Sequence, residues 1–216
     1  MVADGMGGHS AGERASALTV KTFIEVFHQA SGPISKRLAE GLRAANDSIK
    51  NELKHDESLE GMGTTLLAVC LTPAGLEWIS VGDSPLYLLR GSTLERLNED
   101  HSLRPILKEL AERGELPSAS KAHAVSGNIL RAALMGVEIE MIDQSSKPLP
   151  LGQDDLIIAA SDGIHTLNDR EIVATCADPG SLEASVIASA LIRAVANASH
   201  PKQDNVTVAV LKPAAR

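Results

Sequence analysis

Aromatic side chains are nearly absent from this chain. One Trp, one Tyr and two Phe make up 2% of its 216 residues, so its core must be aliphatic. Cysteine is equally sparse. Cys70 and Cys176 lie far apart inside apolar runs, which excludes a disulfide framework or a thiolate metal site and suits thiols buried in a reducing compartment. Positive charge is in deficit too: 20 Lys and Arg against 28 Asp and Glu give a net charge of -8, a balance that repels nucleic acid and anionic membranes. No apolar run approaches the ~18 residues of a membrane span, and no secretory leader is read at the start. The expectation is a cytoplasmic monomer with neither a nucleic-acid nor a membrane partner.

Hydrophobic residues at 44% and charged residues at 22% supply a substantial core. Sandwich domains of about 200–250 residues are common, so one domain over residues 1–216 is expected. Met1-Val2-Ala3 reads as the end of a strand whose beginning is missing, which predicts further sequence upstream.

Val20, Phe23, Ile24 and Phe27 recur at the spacing of one buried helix face and predict a helix over 13–29. After Ser31-Gly32-Pro33, the stripe Ile34, Leu38, Leu42, Ala45, Ile49 and Leu53 predicts a second. Short runs bounded by turn residues follow at 64–72, 76–81, 86–90 and 93–97, an antiparallel meander. Leu76, Trp78 and Ser80 alternate with Glu77, Ile79 and Val81, so both faces of that strand are covered.

Residues 99–127 are polar, carry two prolines and a short helical stretch at 106–113, and read as a mobile flap without a core face. Strands are expected at 138–144, 155–160 and 206–211. Asn168 caps a short helix, and Ser181 caps a longer one whose buried face is Val186, Ile187, Ala190, Leu191, Ala194 and Val195. Paired helices flanking largely antiparallel strands predict an α+β fold, a four-layer α/β/β/α sandwich with two central sheets.

The chemistry lies in aspartates at strand ends. Asp4 leaves an apolar run and enters the glycine-rich stretch Gly5 to Gly12. Asp162 ends a strand before Gly163, Asp204 opens the last strand, and Asp83 sits between two strands in Gly82-Asp83-Ser84. Gathered in one cleft, such carboxylates repel one another and raise each other's pKa, and a counter-charge is needed. With no clustered His or Cys, that charge is a hard, oxygen-ligated cation, Mg or Mn rather than Zn. A water between two such ions about 3.5–4 Å apart is acidified enough to attack phosphorus in line.

Each signal alone has a plainer reading. An Asp-Gly pair at a strand end is usually a turn, and Asp204-Asn205 is as often a cap. The glycine stretch lacks the Lys-Ser/Thr of a P-loop and the full G-x-G-x-x-G spacing. No serine stands in a G-x-S-x-G context, so a Ser-His-Asp site is not argued. His9 lies in the glycine stretch, His101 opens the flap, and His28, His55, His123 and His200 suit solvated positions.

Together, Val2-Ala3-Asp4-Gly5-Met6-Gly7-Gly8-His9, Gly63-Thr64-Thr65, Gly82-Asp83-Ser84, Asp100-His101-Ser102, Ser161-Asp162-Gly163 and Asp204-Asn205-Val206-Thr207 resemble the protein phosphatase 2C family, metal-dependent Ser/Thr phosphatases, in a bacterial form. The resemblance spans essentially the whole chain in the right order. It implies the four-layer sandwich and a Mn/Mg pair in which Asp4 bridges both ions, the Gly5 carbonyl holds one, and Asp162 and Asp204 hold the other. Asp83 with Asp162 would form a weaker third site. It also implies phosphorylated proteins as substrates and a cognate Ser/Thr kinase as partner. The catalytic set would be Asp4, Asp162 and Asp204.

Three departures stand out. The family begins some thirty residues earlier, with a phosphate-binding Arg and an acidic ligand; Pro85 replaces an Arg; and Thr166 replaces an Asp that bears on the third site. Met6 stands where eukaryotic relatives have a His. A rival reading is therefore a catalytically impaired phosphoprotein-binding or regulatory module of the same fold. Another is a phosphatase dedicated to a sigma-factor regulator.

Overall fold

The computed structural model describes residues 1–115, 129–177, 183–199, 201 and 203–213. In chain order the elements are β1 (Gly5–Met6), α1 (His9–Gln29), α2 (Ile34–His55), β2 (Gly63–Thr64), β3 (Leu66–Thr72), β4 (Gly75–Val81), β5 (Leu86–Arg90) and β6 (Thr93–Arg96). Then come α3 (Arg104–Glu112), β7 (Asp143–Gln144), β8 (Leu156–Ala160), α4 (Asp169–Cys176), α5 (Ala184–Asn197) and β9 (Val208–Leu211).

Of the two main sheets one runs β3-β4-β7, with Val2 bridged to Leu67 at its edge, and the other runs β6-β5-β8-β9, while β1 pairs with β2 as a short ribbon. Every strand pairing is antiparallel. The two-residue alternation of strands sorts their side chains into three layers of core. Val2, Leu67, Leu76, Leu86, Leu88, Ile157 and Ala159 fill the space between the sheets. Leu66, Ala68, Ile79 and Val81 face outward against Phe23 of α1 and Leu38, Leu42 and Ile49 of α2. Tyr87, Leu89, Ile158 and Ala160 face the other way, against Ile172 of α4 and Ile187, Leu191 and Val195 of α5. This is the four-layer α/β/β/α sandwich. Each wholly buried Leu or Ile contributes about 1.5–3 kcal/mol, so aliphatic residues suffice without aromatics.

Local chemistry explains several boundaries. Thr72 turns the β3–β4 hairpin by accepting the Ala74 N–H at 3.2 Å and donating to the Gly75 carbonyl at 3.1 Å. Asn168 and Glu171 form a reciprocal capping box at the start of α4. Arg37 closes the end of α1, donating twice to the Phe27 carbonyl while its guanidinium lies 4.2 Å over the Phe27 ring.

Other expectations are corrected. Helix α1 starts at His9, so Gly12 is helical rather than loop. Its buried row is Ala11, Ala15, Thr19 and Phe23, and Ile24 is 43% exposed. Small residues on that row let α1 approach β1, which large apolar spacing does not reveal. Val186 likewise faces outward, because Ile187, Leu191 and Val195 take the inner row of α5. The strand predicted at 138–144 is ordered as strand only at Asp143–Gln144, and the last strand starts at Val208. Residues 99–115 are not uniformly without a core face, since His101 and Ser102 are fully buried. Ser181, His123, His200 and the rest of the expected flap, 116–127, lie outside the described residues. Both cysteines are free thiols.

Candidate metal centre

The four aspartates arrive at one end of the two sheets by register. Leu66 pairs with Val81, so Thr65, which precedes the first, and Gly82-Asp83, which follow the second, lie at the same end of the first sheet. Asp4 is laced to that end, because its carbonyl accepts the Thr65 N–H at 2.9 Å and its N–H donates to the Thr65 hydroxyl at 3.0 Å. The Thr64 hydroxyl also donates to the Asp4 carbonyl at 2.9 Å.

In the second sheet Leu86 pairs with Ala159 and Ala160 with Val208. Asp83 therefore precedes β5, Asp162 follows β8 and Asp204 precedes β9, all at the same end. Ser161 joins the last two segments: its N–H donates to the Thr207 carbonyl at 3.0 Å, and its hydroxyl accepts the Thr207 N–H at 3.0 Å.

Close backbone approach fixes both halves. A Cβ on Gly5 would fall 1.9 Å from the Gly12 carbonyl oxygen, and one on Gly163 would fall 2.3 Å from the Asn205 carbonyl oxygen. Only glycine fits either place. Asp83 is buried, Asp4 and Asp162 are half-buried, and Asp204 is exposed at the rim, its carboxylate accepting the Asn205 N–H at 2.8 Å.

Burial, then the charges of Asp162, Asp204 and Asp83, pushes the Asp4 carboxyl up to about 6. Burial and Asp162 push Asp83 up to about 6 as well, against the pull of Arg104. Asp162 is also raised, by burial first and Asp204 second, with Arg104 opposing. The predicted elevation is present at Asp4, Asp83 and Asp162, and burial is a larger cause of it than mutual repulsion.

His101 is not solvated. Its ring Nδ1 accepts the Gly82 N–H at 3.2 Å and its backbone N–H donates to the Gly82 carbonyl at 3.2 Å, so it braces the turn that presents Asp83. Burial lowers its pKa, and the ring is a neutral structural group.

Sequence reasoning missed Arg104 and Arg96. Arg104 Nη2 lies 2.5 Å from Asp83 and 3.9 Å from Asp162, while Arg96 donates to the Asp83 carbonyl at 2.9 Å and pairs with Asp100 at 2.9 Å. The available signal is Arg104-Pro105 at a helix start, where a cation is electrostatically misplaced unless an anion meets it.

Among the described residues, no three His, Cys, Asp or Glu side chains close round a single point. The aspartates thus form an open set of hard oxygen donors. That set fits Mg or Mn, which keep several waters and take one or two carboxylates each, and it does not fit a closed Zn cage.

Residues 1–199 match the family model described as protein phosphatase 2C. The chain is 33% identical over 169 residues to the serine/threonine phosphatase stp of Listeria welshimeri, covering 76% of this chain and 65% of that protein. It is 32% identical over 212 residues to the serine/threonine protein phosphatase PstP of Mycobacterium tuberculosis, covering 97% of this chain and 39% of that one. The chain thus spans less than two thirds of the length of these curated relatives. Among solved structures, the M. tuberculosis PstP/Ppp phosphatase superposes with a TM-score of 0.77 at 30% identity, covering 96% of this chain and 85% of that one. A PstP catalytic domain in complex with two manganese ions gives a TM-score of 0.75 at 30% identity, covering 96% and 84%.

Proposed function

The chain belongs to the protein phosphatase 2C family, and from that premise we propose that it is a metal-dependent protein Ser/Thr phosphatase. Residues 1–216 are taken as one catalytic domain that hydrolyses phosphoserine and phosphothreonine. The observation that carries this is the arrival of Asp4, Asp83, Asp162 and Asp204 at one end of both sheets, with Asp4 pushed up to about 6 by burial and its neighbours' charges.

Asp4, the Gly5 carbonyl, Asp162 and Asp204 would hold two Mn or Mg ions. When bound, these ions supply the acidification of a water and the stabilisation of charge on the phosphoryl oxygens. The chain itself orients the donors. Thr64 and Thr65 hold the backbone of Asp4, Ser161 clamps Thr207 so that Asp162 and Asp204 stay adjacent, and His101 keeps Asp83 in its turn. The net charge of -8 places the cleft on an acidic molecule, so a phosphorylated substrate is drawn in by the ions rather than by the protein's overall field.

The test is Mn-dependent phosphate release from phosphoserine and phosphothreonine peptides, expected to vanish in chelator and in Asp162→Asn or Asp204→Asn. Undiminished turnover in chelator would overturn the metal mechanism. The open ligand set favours a second reading, a phosphoprotein-binding module of the same fold. Calorimetric titration separates them: two tight Mn sites belong to the enzyme, and one weak site belongs to the module.

A further inference from the structure

Arg104 is the first residue of α3, Pro105 the second, and the helix buries none of its residues. Core packing therefore does not hold α3. Its N-terminus is held by polar contacts instead. The Arg104 N–H donates to the Ser102 hydroxyl at 3.2 Å, and that hydroxyl donates to Asp100 at 2.6 Å. Asp100 in turn pairs with Arg96, which reaches across to the Asp83 carbonyl.

The Arg104 side chain then enters the cleft. Its Nη2 donates to Asp83 Oδ2 at 2.5 Å and stands 3.9 Å from Asp162 Oδ2, and the side chains of these carboxylates are only 5% and 15% exposed. Among the described residues Arg104 Nε is buried without a partner, so the two carboxylates, rather than a bonding group at Nε, set where the guanidinium sits. A partly buried cation facing one buried and one partly buried carboxylate compensates their charge, and removing it leaves that charge unopposed.

We propose that Arg104 is the resident cation of the carboxylate position between Asp83 and Asp162, filling with a guanidinium the place where the family resemblance implies a weaker third metal. The proposal rests on the reading of Asp4, Asp162 and Asp204 as the metal centre, and it replaces the third ion of that reading. A divalent ion at Asp83 has to displace the guanidinium, because two cations within about 4 Å repel strongly where solvent is scarce. Ion binding at Asp83 would also cut the main side-chain tie of α3 to the cleft.

The experiment counts Mn bound per chain from the loss of the free-ion EPR signal, using the full chain, Asp83→Asn, Arg104→Met, Arg104→Lys and the double variant Arg104→Met/Asp83→Asn. Expected are two ions for the wild type and for Arg104→Lys, three for Arg104→Met, and two again for the double variant. The proposal is overturned if the wild type already binds a third ion that Asp83→Asn removes, or if Arg104→Met binds no more than the wild type. A wild type that binds no ion overturns the metal-centre reading instead; Arg104→Met must still gain one Asp83-dependent ion, or the Arg104 proposal falls too. Should Arg104→Met not fold, amide exchange of 104–112 in the wild type decides: protection unchanged in millimolar Mn upholds the proposal, and a tenfold loss overturns it.

Discussion

The hydroxyl of Thr65 accepts the backbone N–H of Asp4 at 3.0 Å and shares a second hydrogen bond with the Ser84 hydroxyl at 2.8 Å. One buried side chain thereby ties the Asp4 and Asp83-Ser84 segments together. Thr65→Val keeps the shape but leaves the Asp4 N–H and Ser84 hydroxyl without that partner, at a cost of about 1–3 kcal/mol. Urea unfolding should show that loss, with a matching fall in Mn affinity, whereas Thr65→Ser should retain both.

Gly163→Ala is expected to separate Asp162 from Asp204. The new methyl would meet the Asn205 carbonyl oxygen at 2.3 Å, so the β8 and β9 ends must part. Overpacking of this kind costs about 1–3 kcal/mol, which a core of this size survives. The expected result is a folded protein by near-UV circular dichroism whose Mn-dependent phosphatase activity falls at least tenfold; wild-type activity would contradict the assigned geometry.

Chelation should lower the melting temperature. Without ions, Asp4 and Asp162 remain half-buried among like charges, as their raised pKa values record. Ligand at about 100 times its Kd stabilises a fold by about 2.7 kcal/mol. Differential scanning calorimetry in chelator and then in excess Mn should show a fall and a recovery, and Asp4→Asn should abolish most of the recovery.

Acid stability should depend on Asp155. Its buried carboxylate accepts Arg90 Nε at 2.9 Å and Arg90 Nη2 at 2.6 Å, and the Gly152 N–H at 2.7 Å, joining the end of β5 to the turn before β8. The Arg90 hydrogen bonds, with the Gly152 N–H, hold its pKa below the ordinary value. For a depressed carboxylate, the unfolded chain binds the proton first as pH falls, so stability is fully present above the unfolded pKa of about 3.9 and is lost as pH drops through the folded value. Asp155→Asn should lower the melting temperature at pH 7 by about 2–4 °C, with the difference shrinking below pH 4.

The helices and most strands were legible because their apolar patterns match one period each. The stripe of α2 and the alternation of β4 reappear with the expected faces, and the Asn168 cap reappears as a full capping box. The face of α1 was not legible. Neighbouring rows of a helix differ by one residue, and the close contact of Gly5 with Gly12 turns the Ala11, Ala15, Thr19 row inward while Ile24 stays out.

The sequence by itself singled out the candidate carboxylates, since Asp4 and Asp162 each stand between an apolar run and a glycine that leaves the backbone free to turn, while Asp83 and Asp204 flank other strands. It also determined the layering, because period-two alternation with both faces apolar demands cover on both sides. Only the tertiary structure decided which side chain faces Asp83 and Asp162. Arg104 meets Asp83 and Asp162 from segments far apart in the chain, and His101 reaches back to Gly82. Such pairings depend on strand register and on where a helix begins, quantities set by packing of the whole molecule rather than by any local run of residues.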